Sequence, residues 1–197
     1  MKTLESDQIL RLLEESGALK EGHFLLSSGL HSAGYVQCAL LLQDPARARR
    51  VGEALAAEVA DFRPDSILAP ALGGLVIGHE VASALGLPFR FTERKDGRMT
   101  LRRGFVLKPR ERIVIVEDVV TTGRSTRETM DVVREEGGEV VGVGSILNRS
   151  GEDDGPFGEV PYRALAALNL PVYDPDECPL CEAGGTPEKP GSRTDGR

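Results

Sequence analysis

The 197-residue chain has few cysteines and no long apolar run. Three cysteines are too few for a disulfide framework, which is typical of proteins in a reducing cytoplasm. No stretch stays apolar over the roughly 20 residues that a membrane-spanning helix needs, and no basic-then-apolar leader follows Met1. We therefore expect a cytoplasmic protein that neither enters a membrane nor is exported.

An excess of positive charge is also missing, since the net charge is −7. This argues against nonspecific binding of nucleic acid by the whole surface. One segment differs: residues 90–112 carry nine cations and three acids, a net charge of +6. A cationic island in an acidic protein indicates a local polyanionic ligand. Its cations are Arg90, Arg94, Lys95, Arg98, Arg102, Arg103, Lys108, Arg110 and Arg112.

Predicted strands and helices alternate along most of the chain. Glycine-rich extended pieces at residues 19–36 form, by default, a hairpin outside that alternation. The pattern predicts an α/β fold: a doubly wound, mainly parallel sheet flanked by helices, with a small N-terminal hood over the carboxyl edge of the sheet. The predicted helices cover residues 6–16, 44–61, 75–85 and about 124–136, and the strands 66–69, 88–91, 113–118, 140–147 and 162–168.

The length suits one domain with a full core, and no repeat or interdomain linker is apparent. We expect a single domain over residues 1–173, with the hood at about 1–40 and the core at about 41–173. Prolines, glycines and charges dominate residues 174–197, which predicts a tail that is ordered only where something holds it.

The most informative stretch runs from Ile113 to Thr126. A β-branched apolar strand ends in Glu117 and Asp118, at the edge where parallel sheets bind ligands. A turn at Gly123 then precedes a helix, and its N–H groups can converge on an anion. The plainer interpretation is a strand, a turn and a capped helix. The whole order is more restrictive than such a cap, and it resembles the phosphoribosyl pyrophosphate signature of type I phosphoribosyltransferases.

The N-terminal stretch from Phe24 to Tyr35 resembles the hood of the orotate phosphoribosyltransferase family, in its Leu-Ser-Ser-Gly run followed by an aromatic residue. Other landmarks agree with that family: Pro70-Ala71-Leu72-Gly73-Gly74, Arg94-Lys95 and Asn148-Arg149. The double glycine has two open interpretations, since it suits backbone approach to a ligand and close helix–strand packing equally well.

The resemblance implies transfer of a phosphoribosyl group from phosphoribosyl pyrophosphate to orotate, with Mg²⁺ held mainly by substrate and water. It implies catalytic roles for Glu117 and Asp118 at the ribose. Orotate would contact Thr121, Arg149 and Tyr35, although the last two also suit a solvated loop arginine and a buried tyrosine. Phosphoribosyl pyrophosphate would contact Arg94, Lys95, Glu117, Asp118, Val119, Val120, Thr121, Thr122, Gly123, Arg124 and Ser125.

The chain departs from the family pattern at its cations. Many orotate enzymes have lysine where this chain has Ser27 and Gly73, and their mobile loop carries a histidine that is absent here. We expect Arg98 and Arg102, with Arg103 nearby, to supply the missing charge, unless the segment is only a solvated hairpin. Because the family's loop crosses to a neighbouring subunit, the resemblance implies a homodimer with shared sites.

Cys178 and Cys181 form a CxxC pair that is a weak zinc candidate, because zinc needs four ligands. Cys38, His23 and His31, or the same pair in another subunit, could complete the set. A packed or free thiol pair is the favoured interpretation, with zinc second and a disulfide third.

Two rival functions remain open. One is a phosphoribosyltransferase for a purine or uracil. The other is a regulator that senses phosphoribosyl pyrophosphate, against which stand the acidic composition and the lack of a helix-turn-helix extension.

Overall fold

The computed structural model describes residues 4–26 and 28–190, so Ser27 lies outside the description. The helices are α1 (Ser6–Glu15), α2 (Cys38–Leu42), α3 (Pro45–Val59), α4 (Gly74–Leu85), α5 (Arg124–Glu135) and α6 (Pro179–Glu182). The strands are β1 (Leu19–Leu25), β2 (His31–Val36), β3 (Ser66–Pro70), β4 (Phe89–Lys95), β5 (Arg98–Leu101), β6 (Arg112–Val120), β7 (Glu139–Asn148), β8 (Tyr162–Ala167) and β9 (Val172–Tyr173).

The main sheet has six strands in the order β5-β4-β3-β6-β7-β8. All neighbours are parallel except the β4–β5 hairpin at one edge. Strand β6 lies inside the sheet and is buried on both faces, which explains its unbroken apolar run. The predicted doubly wound fold is confirmed.

The two faces of β6 pack against different helices. Val114 and Val116 join the cluster formed with α1 to α4, while Ile113 and Ile115 face Met130 of α5. The alternation follows from the two-residue period of a strand. Since the helices lie on both faces, only the ends of the strands remain open for a ligand.

The hood is a separate three-stranded sheet in the order β1-β2-β9. The predicted hairpin at residues 19–36 is confirmed as β1 and β2. Sequence reasoning missed β9, which pairs Tyr173 with His31, and it missed the short helices α2 and α6. The N-cap of α1 is Glu5, which forms a capping box with Gln8.

The parallel arrangement brings several predicted site residues to one edge. Strand β3 leads into the loop at Gly73, β4 into Arg94, β6 into Glu117 and Asp118, and β7 into Arg149. These residues come from segments far apart in the chain, and the sheet alone gathers them. Among the described residues, no helix has both the length and the apolar character needed to span a membrane.

Candidate active site

The centre of this edge is the adjacent pair of carboxylates at the end of β6. Glu117 is buried, and its Oε2 accepts a hydrogen bond from Ser125 Oγ at 3.1 Å. Its Oε1 accepts from the backbone N–H of Asp118 at 3.2 Å, while Asp118 Oδ1 accepts from the N–H of Val119 at 2.8 Å. The structure therefore holds both carboxylates in fixed orientations by hydrogen bonds from hydroxyl and backbone donors.

Burial raises the pKa of both carboxyl groups. The pKa of Glu117 lies well above its ordinary value, first because of desolvation and then because of the neighbouring Asp118. Desolvation also raises the pKa of Asp118, against the opposing hydrogen bonds from Glu117 and the backbone. A group that brought positive charge or hydroxyl donors to this edge would relieve that cost.

The double glycine packs directly against the pair. A Cβ at Gly73 would lie 2.6 Å from Asp118 Oδ1, and one at Gly74 would lie 2.8 Å from the carbonyl oxygen of Val116 and 3.3 Å from Glu117 Oε1. Of the two interpretations left open by the sequence, close packing has direct support here. Any side chain at Gly73 would therefore require the carboxylate of Asp118 to shift.

The predicted phosphate cup follows at once. Gly123 has φ of +69° and is the N-cap of α5, so the helix begins with its unpaired N–H groups facing the same edge. A Cβ at Gly123 would also meet Pro156 and Phe157 at 2.7 and 2.8 Å. Thr121 and Thr122 are exposed beside it. The turn combines exposed hydroxyls with a helix N-terminus, the arrangement that binds phosphate groups.

Arg149 and Tyr35 border the same space from the other side. The backbone N–H of Arg149 bonds the carbonyl of Val120, at the end of β6, and its Nε is buried without an acceptor. Burial lowers the pKa of Arg149 and raises that of Tyr35, on which the charges of Asp118 and Arg149 both act. Tyr35 donates its hydroxyl to Gln37 at 3.0 Å. A half-buried guanidinium whose buried Nε has no acceptor favours an anionic ligand.

The basic hairpin is engaged with acids of its own chain. Arg94 pairs with Glu128 of α5, which also accepts from Arg124 at 3.0 Å. Arg102 and Arg103 both pair with Glu93. The sequence did not indicate that Glu93 and Glu128 would form these ion pairs. Only the i,i+4 spacing of Arg124 and Glu128 could have indicated one of them.

Lys95 and Arg98 are exposed at the tip of the hairpin. Arg98 lines a cleft of about 250 Å³ together with Glu128, Asp131 and Glu135, whose negative charges do not suit a phosphate. Across the described ranges, neither Arg98 nor Arg102 forms a hydrogen bond or ion pair with the carboxylate pair of this chain. Their predicted catalytic role therefore depends on a partner subunit or on movement of the hairpin.

The paired cysteines lie in the tail rather than at this edge. Cys178 and Cys181 meet His23 and His31 of the hood, whereas Cys38 is buried in α2 and does not join them. Val119 and Val120 end β6 and continue its pairing with β7, so their backbone positions the cup.

At the end of the inner strand β6, the structure combines the carboxylates of Glu117 and Asp118 with the glycine-capped N-terminus of α5, an arrangement that can bind a sugar phosphate. Residues 39–156 match the family described as "Phosphoribosyl transferase domain".

Individual proteins similar to this chain show which phosphoribosyltransferase family it belongs to. The chain is 50% identical to orotate phosphoribosyltransferase of Thermotoga maritima over 94% of this chain and 98% of that protein. It is 49% identical to the Carboxydothermus hydrogenoformans enzyme, over 94% and 97%. The crystal structure of orotate phosphoribosyltransferase from Aeropyrum pernix superposes with a TM-score of 0.67 at 29% identity, over 81% of this chain and 93% of that one. The chain belongs to the orotate phosphoribosyltransferase family.

Because the pKa values of Glu117 and Asp118 are raised, replacing both carboxylates should increase stability and decrease activity. In the Glu117→Gln/Asp118→Asn variant, the desolvation cost of two buried charges disappears, so thermal unfolding at pH 7 to 8 should occur at a higher temperature than in the wild type. Turnover should fall by about 10²-fold or more, because a charge-stabilising group is lost.

The pH dependence provides the control. A carboxyl group with a raised folded pKa favours the folded state below its unfolded pKa and loses that contribution as pH rises through the folded pKa. The stability advantage of the variant should therefore shrink as the pH falls toward about 4, near the ordinary carboxyl pKa. Wild-type turnover in the double variant would show that the site has been misassigned.

Proposed function

We infer that the chain transfers the 5-phosphoribosyl group from phosphoribosyl pyrophosphate to orotate, giving orotidine 5′-phosphate and pyrophosphate, a step of pyrimidine biosynthesis. The chain's membership of the family supports phosphoribosyl transfer as the type of reaction. The observation that favours orotate is Arg149, whose buried Nε has no acceptor beside Tyr35. Orotate is a base with a carboxylate, and a guanidinium binds a carboxylate through two parallel hydrogen bonds.

Loss of pyrophosphate leaves positive charge on the ribose in the transition state. Glu117 and Asp118 stabilise that charge and accept hydrogen bonds from the ribose hydroxyls. Their burial supports this role, since charges in a dry site act more strongly on a developing cation than they would in water. Hydrogen bonds to Ser125 and Val119 hold the carboxylates in position before the substrate arrives.

The 5′-phosphate binds at the start of α5, where Thr121 to Ser125 offer hydroxyl and backbone donors. The exposed Thr121 and Thr122 and the positive φ of Gly123 support this assignment. With the phosphate anchored at the cup and the ribose over the carboxylates, the anomeric carbon faces the space bordered by Arg149 and Tyr35.

The residues at this edge fit Mg²⁺, the cofactor that the family implies. This hard cation prefers oxygen ligands, and the carboxylates of Glu117 and Asp118 supply them beside the ribose. When bound with phosphoribosyl pyrophosphate, the ion would supply positive charge beside the pyrophosphate group. Substrate oxygens and water would complete its coordination.

Orotate needs no protein base, because it is anionic and ionises readily at its ring nitrogen. Arg149 holds the carboxylate, and Tyr35 lies against the pyrimidine ring. Thr121 is close enough in the chain to the end of β6 to contact the base as well. We further propose that the enzyme works in the cytoplasm, consistent with its free cysteines.

Arg149→Gln tests the base specificity. The wild type should use orotate and fail with uracil, adenine and hypoxanthine. The variant should lose at least about 30-fold in kcat/KM for orotate, since one partner of a buried charge pair has been truncated. Steady-state assays with the four bases measure the effect.

Arg163→Gln is the matched control, because Arg163 stacks on Phe62 near the start of β8, at the opposite end of the sheet. It should keep the wild-type preference. An Arg149→Gln enzyme with unchanged kcat/KM for orotate would contradict the assignment, and a wild type that prefers adenine or uracil would favour the purine or uracil alternative.

The basic hairpin serves the pyrophosphate end of the substrate in this proposal. Arg94 and Lys95 match the family's pyrophosphate-binding pair, and Arg98 and Arg102 are the nearest additional cations. Exposed ion pairs such as Arg102–Glu93 contribute little stability, so the arginines can exchange these partners for phosphate oxygens at small cost. We propose a homodimer in which each site uses the hairpin of its neighbour, with Gly97 and Gly104 as hinges.

Mixed dimers test this arrangement. Asp118→Asn subunits are combined with Arg98→Ala/Arg102→Ala subunits under conditions that allow exchange. Each heterodimer should contain one site with both sets of groups intact, so activity should rise above that of either parent. A mixture with Arg49→Ala/Arg50→Ala subunits, altered on the exposed surface of α3, controls for the loss of two arginines. Absence of recovery after verified exchange would place the hairpin outside the neighbour's site.

A further inference from the structure

A second cluster of chemically active side chains lies between the hood and the tail. His23 comes from β1, His31 begins β2, and Cys178 and Cys181 flank the start of α6. One potential ligand atom from each lies within 4.8 Å of the others. Cys178 and His31 are buried, at 1% and 6% exposure. The carboxylates of the active site are not part of this cluster.

The distances match the edges of a tetrahedron around zinc. Zinc binds sulfur at about 2.3 Å and nitrogen at about 2.0 to 2.1 Å, so neighbouring ligand atoms would lie about 3.3 to 3.8 Å apart. His23 Nε2 lies 3.5 Å from Cys178 Sγ and 3.8 Å from Cys181 Sγ. His31 Nδ1 lies 3.4 Å from Cys181 Sγ and 2.9 Å from His23 Nε2. Of these four distances, the one between the two nitrogens is shorter than a bound ion requires.

The orientation of His23 supports a common target. Its Nε2 faces the two sulfurs and the other imidazole, while its Nδ1 is buried without a hydrogen-bond partner. The contact with His31 Nδ1 at 2.9 Å and the weak contacts with the thiols leave the cost of the unsatisfied Nδ1 largely unrelieved. A metal bond at Nε2 accounts for this orientation.

The tail supplies an independent argument. Between Asp174 and Pro190, all of which the structure describes, Cys178 is the only buried residue. The segment nevertheless docks on the hood: Glu188 N–H bonds His23 O at 2.7 Å, and Leu25 N–H bonds Glu188 O at 2.8 Å. A segment that buries no apolar side chain needs another source of order, and a structural metal is one such source.

We propose that His23, His31, Cys178 and Cys181 bind one zinc ion within a single chain, which fastens the tail to the hood. Four protein ligands fill the tetrahedron, so the ion is structural and takes no part in the transfer reaction. Thiolate and imidazole ligands select zinc over the magnesium expected at the active site. His23 lies in β1 and His31 in β2, so the ion also ties these two strands to the tail.

Metal analysis of protein purified without chelator or affinity tag tests the proposal, after incubation with Zn²⁺ and desalting. We expect about one zinc per chain. Cys178→Ser/Cys181→Ser and His31→Ala should each reduce the zinc content at least tenfold. Cys38→Ala and His79→Ala remove the one other cysteine and the one other histidine of the sequence, and both should retain it.

Two measurements on the wild type keep the test independent of how the variants fold. Cobalt substitution should give the thiolate charge-transfer absorption and strong visible bands of a tetrahedral sulfur–nitrogen site. After zinc removal by a chelator, hydrogen exchange at the amides of Leu25 and Glu188 should accelerate at least tenfold, while amides of β6 should keep their protection.

Three results would overturn the proposal. The first is less than about 0.1 zinc per chain in zinc-incubated wild type, and the second is a Cys178–Cys181 disulfide in freshly purified protein. The third is half-stoichiometric zinc that bridges two chains. Loss of orotate transfer would test the active site instead, so the two conclusions fail separately.

Discussion

The proposed active site depends on the desolvation of two adjacent carboxylates at the end of an inner strand, where Glu117 is buried and Asp118 half-buried. Glu117 and Asp118 are held there by hydrogen bonds and by the close approach of Gly73 and Gly74. Burial makes both charges costly in the free protein and raises both pKa values. The same burial lets them act strongly on positive charge that develops above them. In the proposed mechanism, the desolvation that lowers the stability of the free protein also favours catalysis, as is common at functional sites.

Gly73 and Gly74 limit where this chain can place cations that would neutralise the negative charge of its substrate. Phosphoribosyl pyrophosphate carries many negative charges. A lysine in place of Gly73 would require Asp118 to move, because its Cβ alone would lie 2.6 Å from Asp118 Oδ1. In the proposed mechanism, the arginine-rich hairpin β4–β5 supplies cations from a different direction. In the free chain, Glu93 and Glu128 hold three of these arginines in ion pairs. Exposed pairs of this kind are weak, so phosphate oxygens can replace them.

Much of the fold could be predicted because its signals are local. The apolar strand ending at Glu117 and the glycine before α5 each occupy one short stretch, and strand–helix alternation then fixes the parallel sheet. The hood was harder to predict from the sequence. Strand β9 pairs with β2 across about 140 residues, and a strand of two residues is too short to show a hydrophobic periodicity. Cys178 and Cys181 were recognised as a weak zinc candidate, but the sequence could not show which of three possible helpers they meet. The burial of Arg149 Nε likewise follows from packing alone.

Proton exchange on substrate binding tests the central claim most directly. Titration calorimetry of Mg²⁺–phosphoribosyl pyrophosphate, in two buffers with different ionisation enthalpies, gives the number of protons released. If Glu117 and Asp118 are the groups whose raised pKa falls when the substrate binds, the wild type should release more protons near neutral pH than Glu117→Gln/Asp118→Asn. The difference should shrink at higher pH, where both carboxylates are already ionised. Equal proton release by the two proteins at every pH would contradict the account.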